Sequence, residues 1–165
     1  NYKKFTVCFI DINSNKYSSS FNCNFVEVLY HCKNRKQTWI NDILVRKYQE
    51  LHHRKLAHSV EIWIGKELVG GLFGVAIGSC FFAESMVSLR TDGSKLALVA
   101  LINRLLSSGF ELFDTQFFTP HLGRMGAIEI SEIQYEKRLK KCLEKNVNFF
   151  SSPNDREYLF FPKKS

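Results

Sequence analysis

A chain of 165 residues is long enough for one domain with a real core. At 45% hydrophobic and 14% aromatic, with 15 Phe, its composition is globular and excludes intrinsic disorder. The formal net charge of +7 suits a polyanionic partner as well as simple solubility. No signal peptide is recognisable and no membrane contact is expected: the longest apolar run, residues 68–82, is broken by Gly70, Gly71, Gly74 and Gly78. Lys4–Ile12 reads as a strand, ended by the turn-forming Asn13, Ser14 and Asn15. Asn22 or Asn24 caps a helix to about Asn34, with Phe25, Val28, Leu29 and Cys32 on one face. A basic linker from Lys33 to Lys36, with Arg35, leads to Asn41, the N-cap of a helix over about 42–54 whose apolar face is Ile43, Leu44, Tyr48 and Leu51.

The period then changes. Ser59–Ile64, Leu68–Ile77 and Ser79–Ser88 read as an antiparallel meander with its first turn at Gly65, and its glycines invite a close approach to the backbone. Gly93–Ser108 is a strong helix (Leu96, Val99, Leu101, Ile102, Leu105, Leu106) closed by Gly109. A strand through Asp114 follows, then a short helix from Pro120 to near Gly126, a short strand at 127–130 and a basic amphipathic helix at 132–145. The tail, with Pro153 and Phe160–Lys164, reads as an irregular segment held by aromatics. The order of elements predicts an α+β fold with a mostly antiparallel central sheet flanked by helices. The long helix after the meander, followed by a strand, suits an N-acetyltransferase-like fold.

Five cysteines, Cys8, Cys23, Cys32, Cys80 and Cys142, form no CxxC pair and lie mostly in apolar runs. That argues against a disulfide framework and against zinc, so no metal is expected, and it points to the cytoplasm or another reducing compartment. Asn at position 1 leaves room for an upstream segment.

Four polar clusters are candidates for chemistry. In the segment ELFDTQFFTPHLGRMGA, Asp114 and Gln116 would stand side by side on one strand face, roughly 6–7 Å apart. Without more information that face is a solvated edge. Glu84, after Phe81-Phe82-Ala83, is out of place unless paired or exposed; with Asp114 it would give a pocket two carboxylates, suited to a cationic amine. His58 and Ser59 are adjacent and point to opposite strand faces, so His58 reads as structural. Arg90 and Gly93 in RTDGSK partly match an acetyltransferase pyrophosphate loop, but Lys95 stands where a small residue is needed.

Together these residues resemble the leucyl/phenylalanyl-tRNA–protein transferase family from about Thr38 to Tyr135. The resemblance is carried by Thr38-Trp39-Ile40, Leu51-His52, Ala57-His58-Ser59-Val60-Glu61 with Trp63, Leu68-Val69-Gly70-Gly71 with Gly74-Val75-Ala76, Glu84-Ser85-Met86, Ser94-Lys95, and Asp114, Gln116, His121 and Gly126-Ala127. It implies an N-acetyltransferase-like fold and an enzyme that moves Leu or Phe from aminoacyl-tRNA to the N-terminal amine of proteins beginning with Arg or Lys, marking them for degradation by the N-end rule. It implies no cofactor, coenzyme A included, and a monomer is expected. By resemblance, Asp114 and Gln116 act at the amine and the reacting carbonyl, Glu84 lines the pocket, and Leu72, Phe81, Met86 and Leu98 receive the Leu or Phe side chain. Trp39 matches an aromatic that stacks on the terminal adenine. For Trp39 and Met86, core packing is the alternative. Residues 1–36 are expected to be a remnant of, or a connection to, an N-terminal region, and residues 37–165 the transferase domain. The remaining alternatives are an acetyl-CoA-dependent N-acetyltransferase on the same fold and a non-catalytic tRNA-binding relic.

Overall fold

The computed structural model describes residues 16–150 and the backbone of a two-residue strand at 159–160. The strand expected at 4–12 and most of the aromatic tail lie outside the described residues. The elements run β1 (Ser18–Phe21), α1 (Phe25–Lys33), α2 (Asp42–His53), β2 (Ala57–Ile64), β3 (Glu67–Ile77), β4 (Cys80–Ser88), α3 (Gly93–Ser107), β5 (Leu112–Asp114), α4 (Pro120–Arg124), α5 (Glu132–Leu143) and β6 (Leu159–Phe160). One sheet has the order β5-β4-β3-β2-β1-β6. All its pairings are antiparallel except β4 with β5. The α+β class and the meander of β2, β3 and β4 are as the sequence predicts.

Each face of the sheet buries its own cluster. On one, Val60, Ile62, Val69, Leu72 and Phe81 meet Leu96, Leu98, Leu101 and Leu105 of α3. On the other, Ala57, Phe73 and Val87 meet Phe25, Val28 and Leu29 of α1 and Val45 and Tyr48 of α2. The alternation of β3 and β4 residues between the two clusters is the two-residue period of a strand buried on both faces. A smaller cluster of Cys80, Leu112 and Cys142, joined by Phe82, Tyr135 and Leu139, seats α5 on β4 and β5. Because Phe81 and Phe113 face α3, Phe82 and Asp114 face the opposite side, that of α5.

The close approach expected at the glycines of β3 is made by the chain itself. A Cβ on Gly93 would lie 2.2 Å from the Val69 carbonyl oxygen, and one on Gly70 would lie 2.3 Å from the Gly93 carbonyl carbon. Only two glycines let the first turn of α3 sit directly on β3. Helix starts are fixed locally. Asn41 Oδ1 accepts the Leu44 N–H at 2.9 Å, Thr119 Oγ1 accepts the Leu122 N–H at 3.1 Å, and Ser131 accepts from Gln134.

Four local expectations are corrected. β5 ends at Asp114, and Gln116 takes a left-handed conformation (φ 63) rather than continuing a strand. Residues 127–130 form no strand, and Ile128 is exposed. Ile43 and Leu106 point to solvent, so the buried face of α2 is Val45 and Tyr48. Asn24 precedes α1 without a side-chain cap and instead donates to Glu27.

Candidate active site

The parallel pairing of β4 with β5 stops at Phe82 opposite Asp114. Two features open the sheet there. Ser85 pairs with Phe73 and Ala83 with Gly74, so Glu84 is the extra residue of a β-bulge, the kind of kink that re-aims side chains. Across the gap, the left-handed turn at Gln116 carries the chain away. The Gln116 side chain spans the opening, its Nε2 donating to the Ala83 carbonyl at 3.1 Å.

Asp114 is half-buried and both of its oxygens are engaged. Oδ1 accepts the Gln116 backbone N–H at 2.7 Å, and Oδ2 accepts the hydroxyl of Tyr135 on α5 at 2.6 Å. The predicted pair is therefore brought together, but through a turn, with the carboxylate holding the backbone of its partner. Glu84 has a matching arrangement. Its Oε2 accepts the Tyr48 hydroxyl at 2.9 Å, and Tyr48 in turn meets the half-exposed Trp39 edge-on, ring centroids 6.3 Å apart. Burial, and then the hydrogen bond to its carboxylate, raises the pKa of each tyrosine well above the usual phenol value. Both remain donors at any physiological pH. Glu84 and Asp114 thus share one side of the sheet, each held by a tyrosine from a helix.

Leu72, Phe81, Met86 and Leu98 are also brought together, but on the α3 side. Leu72 and Met86 are directly opposite in the β3–β4 register. Leu72, Phe81 and Leu98 are buried in the core, and only Met86 is partly exposed. The four apolar residues and the two carboxylates therefore lie on opposite sides of the sheet.

Three contributors are not assigned by sequence reasoning. Tyr48 reads as apolar helix face and Tyr135 only as the end of a motif. A signal was present for the first: a buried Tyr needs a partner for its hydroxyl, and Glu84 needed a donor. Arg35, read as part of a basic linker, ties that linker to β4. Its guanidinium donates to the Met86 carbonyl at 3.1 Å and to Ser85 Oγ at 2.9 Å, and its Nε to the Cys32 carbonyl at 3.2 Å.

Farther along the sheet, β1 and β2 share a buried polar network. Glu61 is fully buried; Oε2 accepts the Ser20 hydroxyl at 2.6 Å and the Cys23 N–H at 3.4 Å, and Oε1 accepts the Ser59 hydroxyl. Trp63 Nε1 donates to Ser20 at 2.8 Å. Burial raises the Glu61 pKa despite these donors. His58 is structural, as expected: it stacks on Phe149 with centroids 4.1 Å apart and hydrogen-bonds Asn22 at 2.9 Å. Burial lowers its pKa to about 4.

The RTDGSK loop is committed internally. Arg90 pairs with Glu67 through two hydrogen bonds of 2.8 and 2.9 Å, Lys95 pairs with Asp92, and the Ser94 N–H donates to Ser88 Oγ at 2.8 Å. The N–H and cations that would cradle a phosphate have partners, and a carboxylate stands beside them. Among the described residues no cluster of three or more His, Cys, Asp or Glu could hold a metal, and no helix is long and apolar enough to cross a membrane.

The layered architecture, with a short parallel pair formed by a bulged strand, is that of an N-acetyltransferase-like fold. A ribosomal-protein-alanine N-acetyltransferase from Brucella melitensis superposes with a TM-score of 0.50 at 12% identity, covering 70% of this chain and 96% of its own. At that identity the likeness concerns the fold alone. Sequence narrows it further. The family described as leucyl/phenylalanyl-tRNA protein transferase matches residues 10–140. The leucyl/phenylalanyl-tRNA–protein transferase of Roseobacter denitrificans is 50% identical over 130 residues, 79% of this chain and 62% of the relative. That of Cereibacter sphaeroides is 52% identical over 126 residues, 76% of this chain and 59% of the relative. The chain belongs to the leucyl/phenylalanyl-tRNA protein transferase family, and it spans less than two thirds of the length of these relatives.

Proposed function

We propose that this chain carries the aminoacyl-transfer centre of an enzyme that moves Leu or Phe from aminoacyl-tRNA to the N-terminal amine of proteins beginning with Arg or Lys. The observation that carries this reading is the Asp114–Gln116 pair at the β4–β5 opening, in a chain of this family. The donor ester is already activated, so the protein's task is to position two substrates and keep the attacking amine neutral. The amine nitrogen bonds to the ester carbonyl carbon, the bond to the ribose oxygen breaks, and that oxygen leaves with a proton originating on the amine.

Asp114 orients the amine or accepts its proton. Gln116 commits one N–H to the Ala83 carbonyl, which leaves its amide oxygen and second N–H for the amine or the developing oxyanion. Glu84 offers its Oε1 to the cationic side chain of the acceptor. Met86 meets the transferred Leu or Phe with a side chain that adapts to either shape, backed by Leu72, Phe81 and Leu98. The half-exposed Trp39 ring stacks on the terminal adenine, a contact worth about 1–3 kcal/mol. The internally paired RTDGSK loop speaks against coenzyme A as the acyl carrier.

The test is transfer of radiolabelled Leu to a peptide beginning with Arg, from Leu-tRNA and, in parallel, from a leucyl ester of adenosine that needs no tRNA-binding surface. Label in the peptide is expected. Consumption of acetyl-CoA without aminoacyl transfer would reassign the chain to acetyl transfer. Binding of tRNA without either reaction would leave a binding relic.

A further inference from the structure

We infer that Tyr135, on α5, is a positioning residue for aminoacyl transfer: it orients the Asp114 carboxylate and, through it, Gln116. The inference rests on the transfer reading above. Three observations carry it. The Tyr135 hydroxyl donates to Asp114 Oδ2 at 2.6 Å, from the side opposite the bond that Oδ1 accepts from the Gln116 N–H. A carboxylate on a single anchor still rotates about its Cβ–Cγ bond; one engaged at both oxygens by donors on separate elements does not. Gln116 itself sits in a left-handed conformation that is unfavourable for an L residue, and its N–H is held there by the bond to Asp114. Tyr135 reaches Asp114 because its ring packs against the cluster of Cys80, Leu112 and Cys142, which seats α5 on the sheet. The hydroxyl of a half-buried surface-helix tyrosine had many ways to face water; here it spans 21 residues of chain to meet the acid.

The chain of dependence is therefore Tyr135 to Asp114 to the Gln116 backbone to the Gln116 side chain, which bridges to Ala83. Tyr135 touches none of the reacting atoms. Its loss should change how often the pair is correctly aligned, which appears in kcat, and not how substrates are held by Trp39, Glu84 and Met86, which appears in KM.

The experiment compares the full chain with Tyr135→Phe, which keeps the ring and its packing, and with Tyr135→Leu. Transfer from leucyl adenosine to an Arg-initiated peptide is measured with KM for both substrates, alongside the Gln116 amide resonance. The expected result for Tyr135→Phe is a 10- to 100-fold fall in kcat, KM values within twofold, a melting temperature lowered by a few degrees with the chain still folded at the assay temperature, and a shifted, faster-exchanging Gln116 amide. Tyr135→Leu should fall no further in kcat than Tyr135→Phe once matched for folded fraction. If Tyr135→Phe turns over like the active wild type with an unmoved Gln116 amide, the inference is overturned while the transfer reading stands. A folded wild type that transfers nothing overturns the transfer reading and this inference with it.

Discussion

Asp114→Asn and Asp114→Ala separate the two tasks of that carboxylate. Oδ1 accepts the Gln116 N–H at 2.7 Å while Gln116 sits at φ 63. The left-handed conformation costs an L residue roughly 1–2 kcal/mol. A hydrogen bond to a charged acceptor contributes roughly 1.5–3 kcal/mol, enough to hold the turn with little in reserve. Asn keeps an oxygen that accepts the same N–H, and its NH₂ group can donate to the Tyr135 oxygen, which turns to accept. The neutral bond, about 0.5–1.5 kcal/mol, nearly balances the backbone cost. Asn therefore largely keeps the shape and loses the charge. Removing a group that takes or orients a proton costs about 10²- to 10⁴-fold in rate, and that is the expected fall in kcat for Asp114→Asn. Ala removes the anchor as well and leaves Gln116 free to relax, a further ~1–2 kcal/mol, or roughly 5- to 30-fold. The assay is single-turnover transfer from leucyl adenosine to an Arg-initiated peptide, with circular dichroism to confirm folding. Asp114→Asn within threefold of wild type would remove the acid from the chemistry. Asp114→Ala no slower than Asp114→Asn would refute the claim that the carboxylate locks Gln116.

Other consequences follow from the same geometry. Tyr48→Phe frees Glu84 Oε2 and should raise KM for an Arg-initiated peptide about 3- to 10-fold, the equivalent of one lost hydrogen bond, with kcat unchanged; equal KM values would remove Glu84 from acceptor binding. Gly93→Ala places a Cβ 2.2 Å from the Val69 carbonyl oxygen and 2.9 Å from Gly70 Cα, backbone that cannot yield, and should cost roughly 3 kcal/mol in urea unfolding; an unchanged midpoint would mean that α3 does not press on β3. Glu61 gives a pH signature. Its folded pKa is raised above the unfolded value of 4.5, chiefly by burial, so above pH 4.5 unfolding releases a proton and rising pH lowers stability until the folded pKa is passed. Glu61→Gln lacks this effect, so its unfolding free energy relative to wild type should be flat below pH 4.5 and climb above it. Parallel curves across that window would place the Glu61 carboxyl at its ordinary pKa.

Where the chain obeys a simple period, its structure was legible. Phe25, Val28, Leu29 and Cys32 fall on one helical face and are all buried, and the meander follows from alternation and turn glycines. β1 escaped because its sequence, Ser18-Ser19-Ser20-Phe21, has no apolar alternation; its burial depends on hydroxyls meeting groups such as Glu61, more than 40 residues away. The strand expected at 127–130 failed for the reverse reason, since an Ile-rich run does not form a strand without a neighbour to pair with. At the site, Asp114, Gln116 and Glu84 stood out as polar residues in aromatic surroundings. Their tyrosine partners did not, because Tyr135 and Tyr48 lie 21 and 36 residues from the acids they meet and read as ordinary helix positions. The expected side-by-side pair required a strand that continued past Asp114, and a left-handed Gln116 is something no residue-type preference foretells.

The interruption of the sheet explains why the candidate site lies where it does. A strand edge that loses its neighbour exposes backbone carbonyls that need donors. Where β5 leaves β4, the Ala83 carbonyl takes the Gln116 side chain and the Met86 carbonyl takes Arg35. The bulge leaves Glu84 unpaired and turned toward Tyr48. The side chains that satisfy the opened edge are thus the same ones, or direct neighbours of the ones, that the proposed transfer reaction would use. Gln116 carries both tasks, and this makes Gln116→Glu a more damaging change than its similar size suggests. A glutamate cannot donate to Ala83, and it would set a second negative charge beside Asp114, so the opening would lose its bridge and gain a like-charge repulsion together. If the proposed transfer reaction runs at this opening, the edge and the chemistry are coupled through one amide, and a substitution there alters both.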